Sequence, residues 1–203
     1  MKIFITAIGT DSGKTLVSSI LVEYFKADYW KPIQCGLPRD TDGVRSLISN
    51  NKSVFHDEKW LLKTPASPHF AAEVEGIDIE LNDFKIPETS NHLIIEGAGG
   101  LLVPINNKEC VIDLATHFKC PVILVANLYL GSINHTLLSL EYLKSKDISV
   151  LGVIFNGESN KSSEKIIEMK SPFPILAKIP HLDRIDKQSV KKIANNLKIT
   201  LNE

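Results

Sequence analysis

The sequence is poor in arginine and carries almost no excess of charge. Of its 203 residues only three are arginine, at Arg39, Arg45 and Arg184, and the formal net charge is -1. Such a chain lacks an arginine cluster for clamping phosphates, and it lacks the positive charge that draws proteins to nucleic acids and anionic membranes. We therefore expect no nucleic acid and no membrane among its partners.

Cysteine pairs and long apolar runs are also missing. The three cysteines, Cys35, Cys110 and Cys120, form no Cys-x-x-Cys pair, and the six histidines are dispersed. This pattern excludes a disulfide framework and a zinc site of the usual spacing. No apolar run approaches the length of a membrane span, and the first apolar stretch, 3–8, is too short for a secretory signal. These absences predict a cytoplasmic protein.

Short segments rich in β-branched residues alternate with segments of helical periodicity. Strands are predicted at Ile3–Thr6, Tyr29–Lys31, Leu93–Ile95, Val122–Val125, Val150–Phe155 and Ile175–Ala177, and helices at Leu16–Phe25, Ile112–Phe118, Ile133–Leu143 and Glu164–Met169. Strands that are apolar on both faces need helices on both sides, so we expect an α/β fold with a mostly parallel sheet. The stretch from Arg39 to Glu88 is less regular and predicts only two helices, around Val44–Ile48 and Phe70–Glu73. Since no linker or repeat interrupts the chain, residues 1–203 are expected to form one domain.

The segment 7–15 reads AIGTDSGKT and lies between the first predicted strand and the first predicted helix. It ends in Gly13-Lys14-Thr15, as the phosphate-loop pattern G-x-x-x-x-G-K-[ST] requires, but the first glycine of that pattern is missing. In that setting, backbone N–H groups and the helix N-terminus point at an anion, Lys14 adds positive charge, and the Thr15 hydroxyl is placed to hold Mg²⁺. The alternative is a glycine-rich turn that binds no ligand. The setting favours a phosphate site in a three-layer fold like that of P-loop NTPases.

A second candidate segment is the apolar strand that ends in Glu96 and runs into Gly97-Ala98-Gly99-Gly100. A carboxylate at the end of a buried parallel strand, beside a phosphate loop, is where nucleotide enzymes order magnesium. Glycines let the backbone approach a ligand closely. The alternative is a solvated glutamate followed by an ordinary turn, and the nearby phosphate loop favours the functional interpretation.

Lys31 follows the second predicted strand, and two aspartates, Asp40 and Asp42, open the next helical pattern. A lysine at a strand end can neutralise a developing oxyanion, although a surface lysine is the commoner case. One aspartate could cap the helix while the other binds metal. Because the carboxyl ends of parallel strands meet at one edge, these residues and Asn156-Gly157 are expected to share one ligand site.

Taken in order along the chain, the motifs resemble those of the dethiobiotin synthetase family. The resemblance rests on Gly13-Lys14-Thr15, Lys31-Pro32-Ile33, Asp40-Thr41-Asp42, Ser67-Pro68-His69, Glu96-Gly97-Ala98-Gly99-Gly100, Gly131-Ser132-Ile133-Asn134-His135, Asn156 and Ile179-Pro180. It implies an ATP- and Mg²⁺-dependent cyclo-ligase of biotin biosynthesis. A carbamate formed from 7,8-diaminopelargonate and CO₂ would attack the γ-phosphate of ATP, and the second amine would close the ureido ring of dethiobiotin. The resemblance also implies a homodimer, with the turn 131–135 near the subunit interface and the diamine site.

The same resemblance implies roles for individual residues. Lys31 matches the active-site lysine, which Lys14 assists. The implied magnesium residues are Thr15, Asp42 and Glu96. The implied nucleotide contacts are those three residues together with Asp11, Ser12, Gly13, Lys14, Leu16, Gly97, Ala98, Gly99, Asn156, Gly157, Pro180, His181 and Leu182. The implied diamine contacts are Thr10, Lys31 and Cys35, the last of which stands where the family usually has Ser or Thr.

Other functions fit the sequence less well. A partitioning or regulatory ATPase commonly carries an extra lysine early in its phosphate loop, and residues 7–12 contain none. A GTPase would show Asn-Lys-x-Asp where this chain reads Asn127-Leu128-Tyr129-Leu130. A small-molecule kinase would need an arginine-bearing lid, and a non-catalytic carrier would not need a lysine and carboxylates at one sheet edge.

Overall fold

The computed structural model describes residues 1–199, which contain nine strands and seven α-helices. The strands are β1 (Lys2–Ala7), β2 (Asp28–Trp30), β3 (Ile33–Cys35), β4 (Phe55–His56), β5 (Trp60–Leu62), β6 (Leu93–Glu96), β7 (Val122–Asn127), β8 (Val150–Gly157) and β9 (Ile175–Pro180). The helices are α1 (Lys14–Phe25), α2 (Asp40–Leu47), α3 (Pro68–Glu75), α4 (Val111–His117), α5 (Ser132–Ser145), α6 (Lys161–Lys170) and α7 (Lys187–Asn196). A short 3₁₀ helix spans Leu81–Asp83.

Seven of the strands form one sheet in the order β4-β2-β6-β1-β7-β8-β9, and every neighbouring pair is parallel. The central strand β1 places Ile5 beside Glu96 of β6 and Ala7 beside Val125 of β7. All carboxyl ends therefore meet at one edge of the sheet. The predicted parallel α/β architecture is confirmed.

Helices cover both faces of this sheet. Ile3 and Ile5 of β1 pack in the cluster that contains the buried faces of α1, α2 and α7, whereas Phe4 packs in the cluster with α3 and α4. Helices α5 and α6 complete the second face over β7 and β8. The strands are apolar on both faces because neither face meets water. Among the helices described, none is long and apolar enough to cross a membrane.

The edge strand β4, the 3₁₀ helix and two larger parts of the fold are not among the sequence-based expectations. One is α7, where only Val190 and Ala194 are buried, so few apolar residues mark the helix in a largely polar segment. The other is the pairing of strand β3 with β5 in a separate two-stranded parallel sheet. Strands of three residues carry little local signal, and their pairing depends on contacts between distant parts of the chain.

Candidate active site

The phosphate-loop segment forms a tight turn between β1 and α1. Asp11 and Gly13 have φ angles of 57° and 86°, in the left-handed region, and the Ser12 hydroxyl donates to the Gly9 carbonyl at 3.1 Å. Gly13 is the N-cap residue of α1 and provides no side-chain cap. The helix therefore begins without a capping side chain over its first N–H groups, as a helix N-terminus that binds phosphate requires.

Glu96 joins three side chains from two other parts of the chain. It is the last residue of β6 and is only 1% exposed. Its Oε1 accepts hydrogen bonds from Thr15 Oγ1 and Lys31 Nζ, both at 3.1 Å, and its Oε2 accepts one from Tyr29 OH at 3.0 Å. Because β2 and β6 are parallel neighbours, the end of β2 leaves Lys31 beside this carboxylate.

Lys31 also contacts a second carboxylate. Its Nζ lies 2.5 Å from Asp40 Oδ2 at the start of α2, and the Asp40 side chain is 33% exposed. The Asp40 N–H donates to Gln34 Oε1 at 3.0 Å, which fixes the start of the helix. The N-cap position of α2 is Arg39, which has no side-chain cap, so the Asp40 carboxylate pairs with Lys31 and does not cap the helix.

Burial and neighbouring charges act against each other on these groups. Burial alone would lower the pKa of Lys31, but the Glu96 and Asp40 carboxylates outweigh it and raise that pKa above its ordinary value. Burial alone would raise the pKa of Glu96, but Lys31 and Lys14 outweigh it and lower the pKa. For Lys14, burial dominates the attraction of Glu96, so its pKa is lowered. Burial and the Glu96 charge raise the pKa of Tyr29 well above the ordinary phenol value. Lys31 and Glu96 therefore hold each other in the charged forms, and Tyr29 stays a neutral donor.

These groups open into a cavity of about 700 Å³. The structure brings ten of the predicted site residues to its wall, namely Thr10, Asp11, Gly13, Lys14, Thr15, Lys31, Cys35, Glu96, Ala98 and Gly99. Burial raises the pKa of the Cys35 thiol to about 11, so this side chain is a neutral group facing the ligand. A wall with two lysines and three carboxylates suits a ligand that carries both anionic and amine groups.

Asp40, which the sequence offered as a helix cap or a metal ligand, also lines the wall. The wall residues that the sequence reasoning missed are Gln34, Pro65, Ala66, Ser67, Pro68 and Val103. The Ser67-Pro68 motif was a visible signal for two of them. Pro65 carried none, because it reaches the site through a tertiary contact. A Cβ on Gly36, which has a φ of 76°, would lie 2.7 Å from Pro65 Cβ.

Other predicted residues lie outside the cavity wall. Asp42 Oδ1 accepts from Arg45 Nη1 at 2.9 Å, and the Asp42 side chain is 53% exposed. Asn156 and Gly157 end β8, where Gly157 pairs with Pro180 of β9, and His181 and Leu182 follow. Asn156 Nδ2 donates to the Ser12 carbonyl at 3.1 Å, so the end of β8 is joined to the phosphate loop.

The remaining predicted contacts are Leu16 in the first turn of α1 and Gly97 after β6. A Cβ on Gly97 would lie 2.7 Å from Val111 Cγ1. The absence of a side chain at Gly97 therefore serves the packing of α4. Its contact with a ligand stays a prediction.

Known proteins similar to this chain fall into two groups. A family model described as an AAA domain matches residues 1–189. A Cytophaga hutchinsonii protein named ATP-dependent dethiobiotin synthetase BioD is 50% identical over 97% of this chain and 96% of its own length. A Christiangramia forsetii protein of the same name is 46% identical over 98% of this chain and 97% of its own length.

The similar solved structures are more distant. A ParA family ATPase from Chlorobium tepidum has a TM-score of 0.57 at 15% identity, covering 95% of this chain and 91% of its own. The MinD cell division protein of Aquifex aeolicus has a TM-score of 0.56 at 14% identity, covering 100% of this chain and 99% of its own. At such identity the likeness shows a shared fold alone.

Proposed function

The chain belongs to the dethiobiotin synthetase family, and we propose that it closes the ureido ring of dethiobiotin at the cluster around Lys31 and Glu96. The observation that carries the proposal is the meeting of Lys14, Lys31 and Glu96, each less than a tenth exposed, beside the phosphate loop. A single domain spanning 1–203 would carry out the whole reaction with ATP.

The reaction joins CO₂ to two amines at the expense of ATP. One amine of 7,8-diaminopelargonate adds to CO₂ and forms a carbamate. A carbamate oxygen attacks the γ-phosphorus, the bond to the bridging oxygen of ADP breaks, and a carbamic–phosphoric anhydride results. The second amine attacks the carbonyl carbon, the carbon–oxygen bond to phosphate breaks, and phosphate leaves as the ring closes. Two protons are released from the amines.

Positive charge is the main requirement of this reaction, because the negatively charged carbamate and triphosphate must approach each other. Lys31 and Lys14 both line the cavity and supply that charge close to Glu96. Their buried setting makes each charge more effective than it would be in water. No protein nucleophile is needed, because the substrates react directly with each other.

The residues at the site fit a magnesium ion. The Thr15 hydroxyl and a Glu96 carboxylate oxygen lie 3.1 Å apart, and oxygen atoms of this kind are the ligands that Mg²⁺ prefers. In the described part of the chain, no three His, Cys, Asp or Glu residues could hold a metal together. This suits an ion that keeps several water ligands and takes phosphate oxygens among its other ligands. Thr15 and Glu96 would hold the ion, with Asp42 as the third residue implied by the family, and the ion would add positive charge at the phosphates.

The adenine is assigned to the ends of β8 and β9, at Asn156, Gly157, Pro180, His181 and Leu182. Two observations support this position. The Asn156 amide is bound to the phosphate loop through Ser12, and Asn156 Oδ1 is a buried acceptor without a hydrogen-bond partner in the described structure. An acceptor in such a position suits an amino group of a base.

The diamine is assigned to the part of the cavity between Thr10, Cys35 and Lys31. Cys35 presents a neutral thiol there, which is a weaker hydrogen-bond partner than a hydroxyl.

A cytoplasmic homodimer is the proposed working form. Exposed apolar side chains at Tyr129 and Leu130, beside the start of α5, support an interface at that turn. The near-zero net charge supports the absence of nucleic acid and membrane partners.

The decisive experiment supplies the protein with ATP, Mg²⁺ and bicarbonate, with and without 7,8-diaminopelargonate. ADP release and dethiobiotin, detected by mass spectrometry, should both require the diamine and CO₂ together. A Lys14→Met variant, which lacks the phosphate-loop charge, controls for contaminating ATPase. Equal ADP release without the diamine would favour a regulatory ATPase and contradict the proposal.

A further inference from the structure

We propose that Tyr29 is a positioning residue that holds Glu96 with one carboxylate oxygen turned toward the phosphate loop. Tyr29 is not among the residues that line the cavity, so it would act through Glu96 and not on the ligands. The inference rests on the proposed magnesium role of Glu96 and extends it to a residue that the family motifs do not include.

The hydrogen bonds of Glu96 are divided between its two oxygens. Oε2 accepts from Tyr29 OH at 3.0 Å, while Oε1 accepts from Thr15 Oγ1 and Lys31 Nζ. Tyr29 thus occupies the oxygen that points away from the loop. Rotation about the last side-chain torsion of a glutamate is soft and nearly two-fold, so hydrogen bonds to its oxygens decide its orientation. A fixed Oε2 leaves Oε1 as the oxygen available to a metal at Thr15.

The surroundings of Tyr29 hold its hydroxyl in place. The residue is 0% exposed and lies in β2, where it pairs with Ile94 of β6. Glu96 is two residues beyond Ile94, on the same face of the sheet. The Tyr29 ring also packs against Phe55, with centroids 6.0 Å apart. A ring held by the sheet and by an aromatic neighbour presents its hydroxyl at one fixed position.

The chain offers a matched control in Tyr24. Its hydroxyl donates to the Ile199 carbonyl at 3.1 Å, near the end of α1 that is farther from the phosphate loop, and it makes no hydrogen bond with Glu96. Tyr24→Phe and Tyr29→Phe each remove one tyrosine hydroxyl, which costs two hydrogen bonds to the Ile199 backbone in the first variant and the single bond to Glu96 in the second. Only the second variant changes the partners of Glu96.

The test measures ADP binding by calorimetry while Mg²⁺ is varied, and again in EDTA. Tyr29→Phe should need about tenfold more Mg²⁺ for half-maximal binding, because partners of metal ligands typically change metal affinity by about 10- to 100-fold. Its ADP affinity in EDTA should equal that of the wild type, and Tyr24→Phe should match the wild type in both. An unchanged Mg²⁺ midpoint in Tyr29→Phe, or an equal loss of ADP binding with and without Mg²⁺, would overturn the proposal.

A second measurement needs no variant at Tyr29. In wild-type protein labelled with ¹³C at tyrosine Cζ, Phe variants of the other three tyrosines assign the Tyr29 signal. Addition of Mg²⁺ to the ADP complex should move the Tyr29 signal and leave that of Tyr24 in place, and a stationary Tyr29 signal would contradict the role. Neither measurement uses diamine or CO₂. A failure of the ring-closing proposal would instead appear as absence of dethiobiotin from the wild-type enzyme.

Discussion

Lys31 and Asp40, which flank the segment that contains β3, form a salt bridge of 2.5 Å at the wall of the cavity. The Lys31–Glu96 pair is buried on both sides, whereas the Asp40 side chain is 33% exposed. A partly exposed carboxylate can give up its partner at little cost, but a buried one cannot. We infer that Asp40 is the partner that Lys31 leaves when an anionic substrate group arrives.

This difference predicts a mild effect for Asp40→Asn. Glu96 still holds Lys31 in the variant, and a partly exposed ion pair is worth about 1 kcal/mol or less, so turnover should fall by less than about tenfold. Steady-state kinetics of dethiobiotin formation measure it, with the exposed Asp78→Asn as a control away from the proposed site. A fall of about a hundredfold or more would give Asp40 a direct part in the reaction.

Lys31→Ala should be far more damaging to the chemistry. If Lys31 stabilises the carbamate and the transferring phosphoryl group, its loss should lower turnover by ~10²–10³ while ATP still binds. Lys31→Arg should restore little activity, because a planar guanidinium does not replace a compact ammonium. The exposed Lys192→Ala serves as the control. Near-normal turnover in Lys31→Ala would move the role to Lys14.

Glu96→Gln keeps the shape of the side chain and removes its charge. Product formation should fall sharply at limiting Mg²⁺ and recover in part at high Mg²⁺, because a neutral amide is a weaker magnesium ligand than a carboxylate. Activity measured across a Mg²⁺ series tests this. Wild-type magnesium dependence in a folded Glu96→Gln protein would mean that Glu96 does not hold the metal.

The central part of the site could be predicted because strand ends in a parallel sheet meet. Lys14 and Thr15 follow β1, Lys31 follows β2 and Glu96 ends β6, so their meeting depends only on strand assignment and parallel pairing. The apolar strands made that assignment possible. The roles assigned to these residues in catalysis and metal binding stay predictions.

The periphery of the site depends on contacts that the sequence does not display. Pro65 reaches the wall through its approach to Gly36, and Asp40 is set by its N–H bond to Gln34. Tyr29 was predicted only as part of a strand, because nothing local shows that its hydroxyl faces Glu96. Such contacts join segments far apart in the chain, and single-sequence patterns do not encode them.

Glu23 makes the stability of the fold depend on pH. The side chain is buried, and the backbone N–H groups of Ser49 and Asn50 donate to its Oε2 at 2.8 and 3.0 Å. Burial alone would raise the pKa of Glu23, but these donors outweigh it and lower that pKa. The stabilisation is therefore present above the unfolded-state value of about 4.3 and is lost as the pH falls through the folded-state pKa.

Urea unfolding should accordingly show Glu23→Gln to be less stable than the wild type by about 1–3 kcal/mol near neutral pH. The difference should shrink as the pH falls below about 4, because the wild-type carboxyl then becomes neutral like the amide. Glu141→Gln on the exposed face of α5 should stay within about 0.5 kcal/mol of the wild type at both pH values. A difference for Glu23→Gln that does not change with pH would contradict the electrostatic origin.

Gly13→Ala tests how the phosphate loop is joined to the end of β8. A Cβ at this position would overlap the Asn156 side-chain amide, which is fixed by its bond to the Ser12 carbonyl. The φ of 86° adds a cost of about 1–2 kcal/mol for a residue with a Cβ. We expect the variant to fold with lower stability and to bind ADP at least about tenfold more weakly, since both the loop and the assigned adenine contact must shift. Calorimetric ADP binding measures this.

The Gly13→Ala/Asn156→Ala double variant is the control. It removes the overlap and keeps the strained φ, so adding Asn156→Ala to Gly13→Ala should weaken ADP binding less than Asn156→Ala does in the wild type. Wild-type ADP affinity in Gly13→Ala would mean that the loop and Asn156 are not coupled.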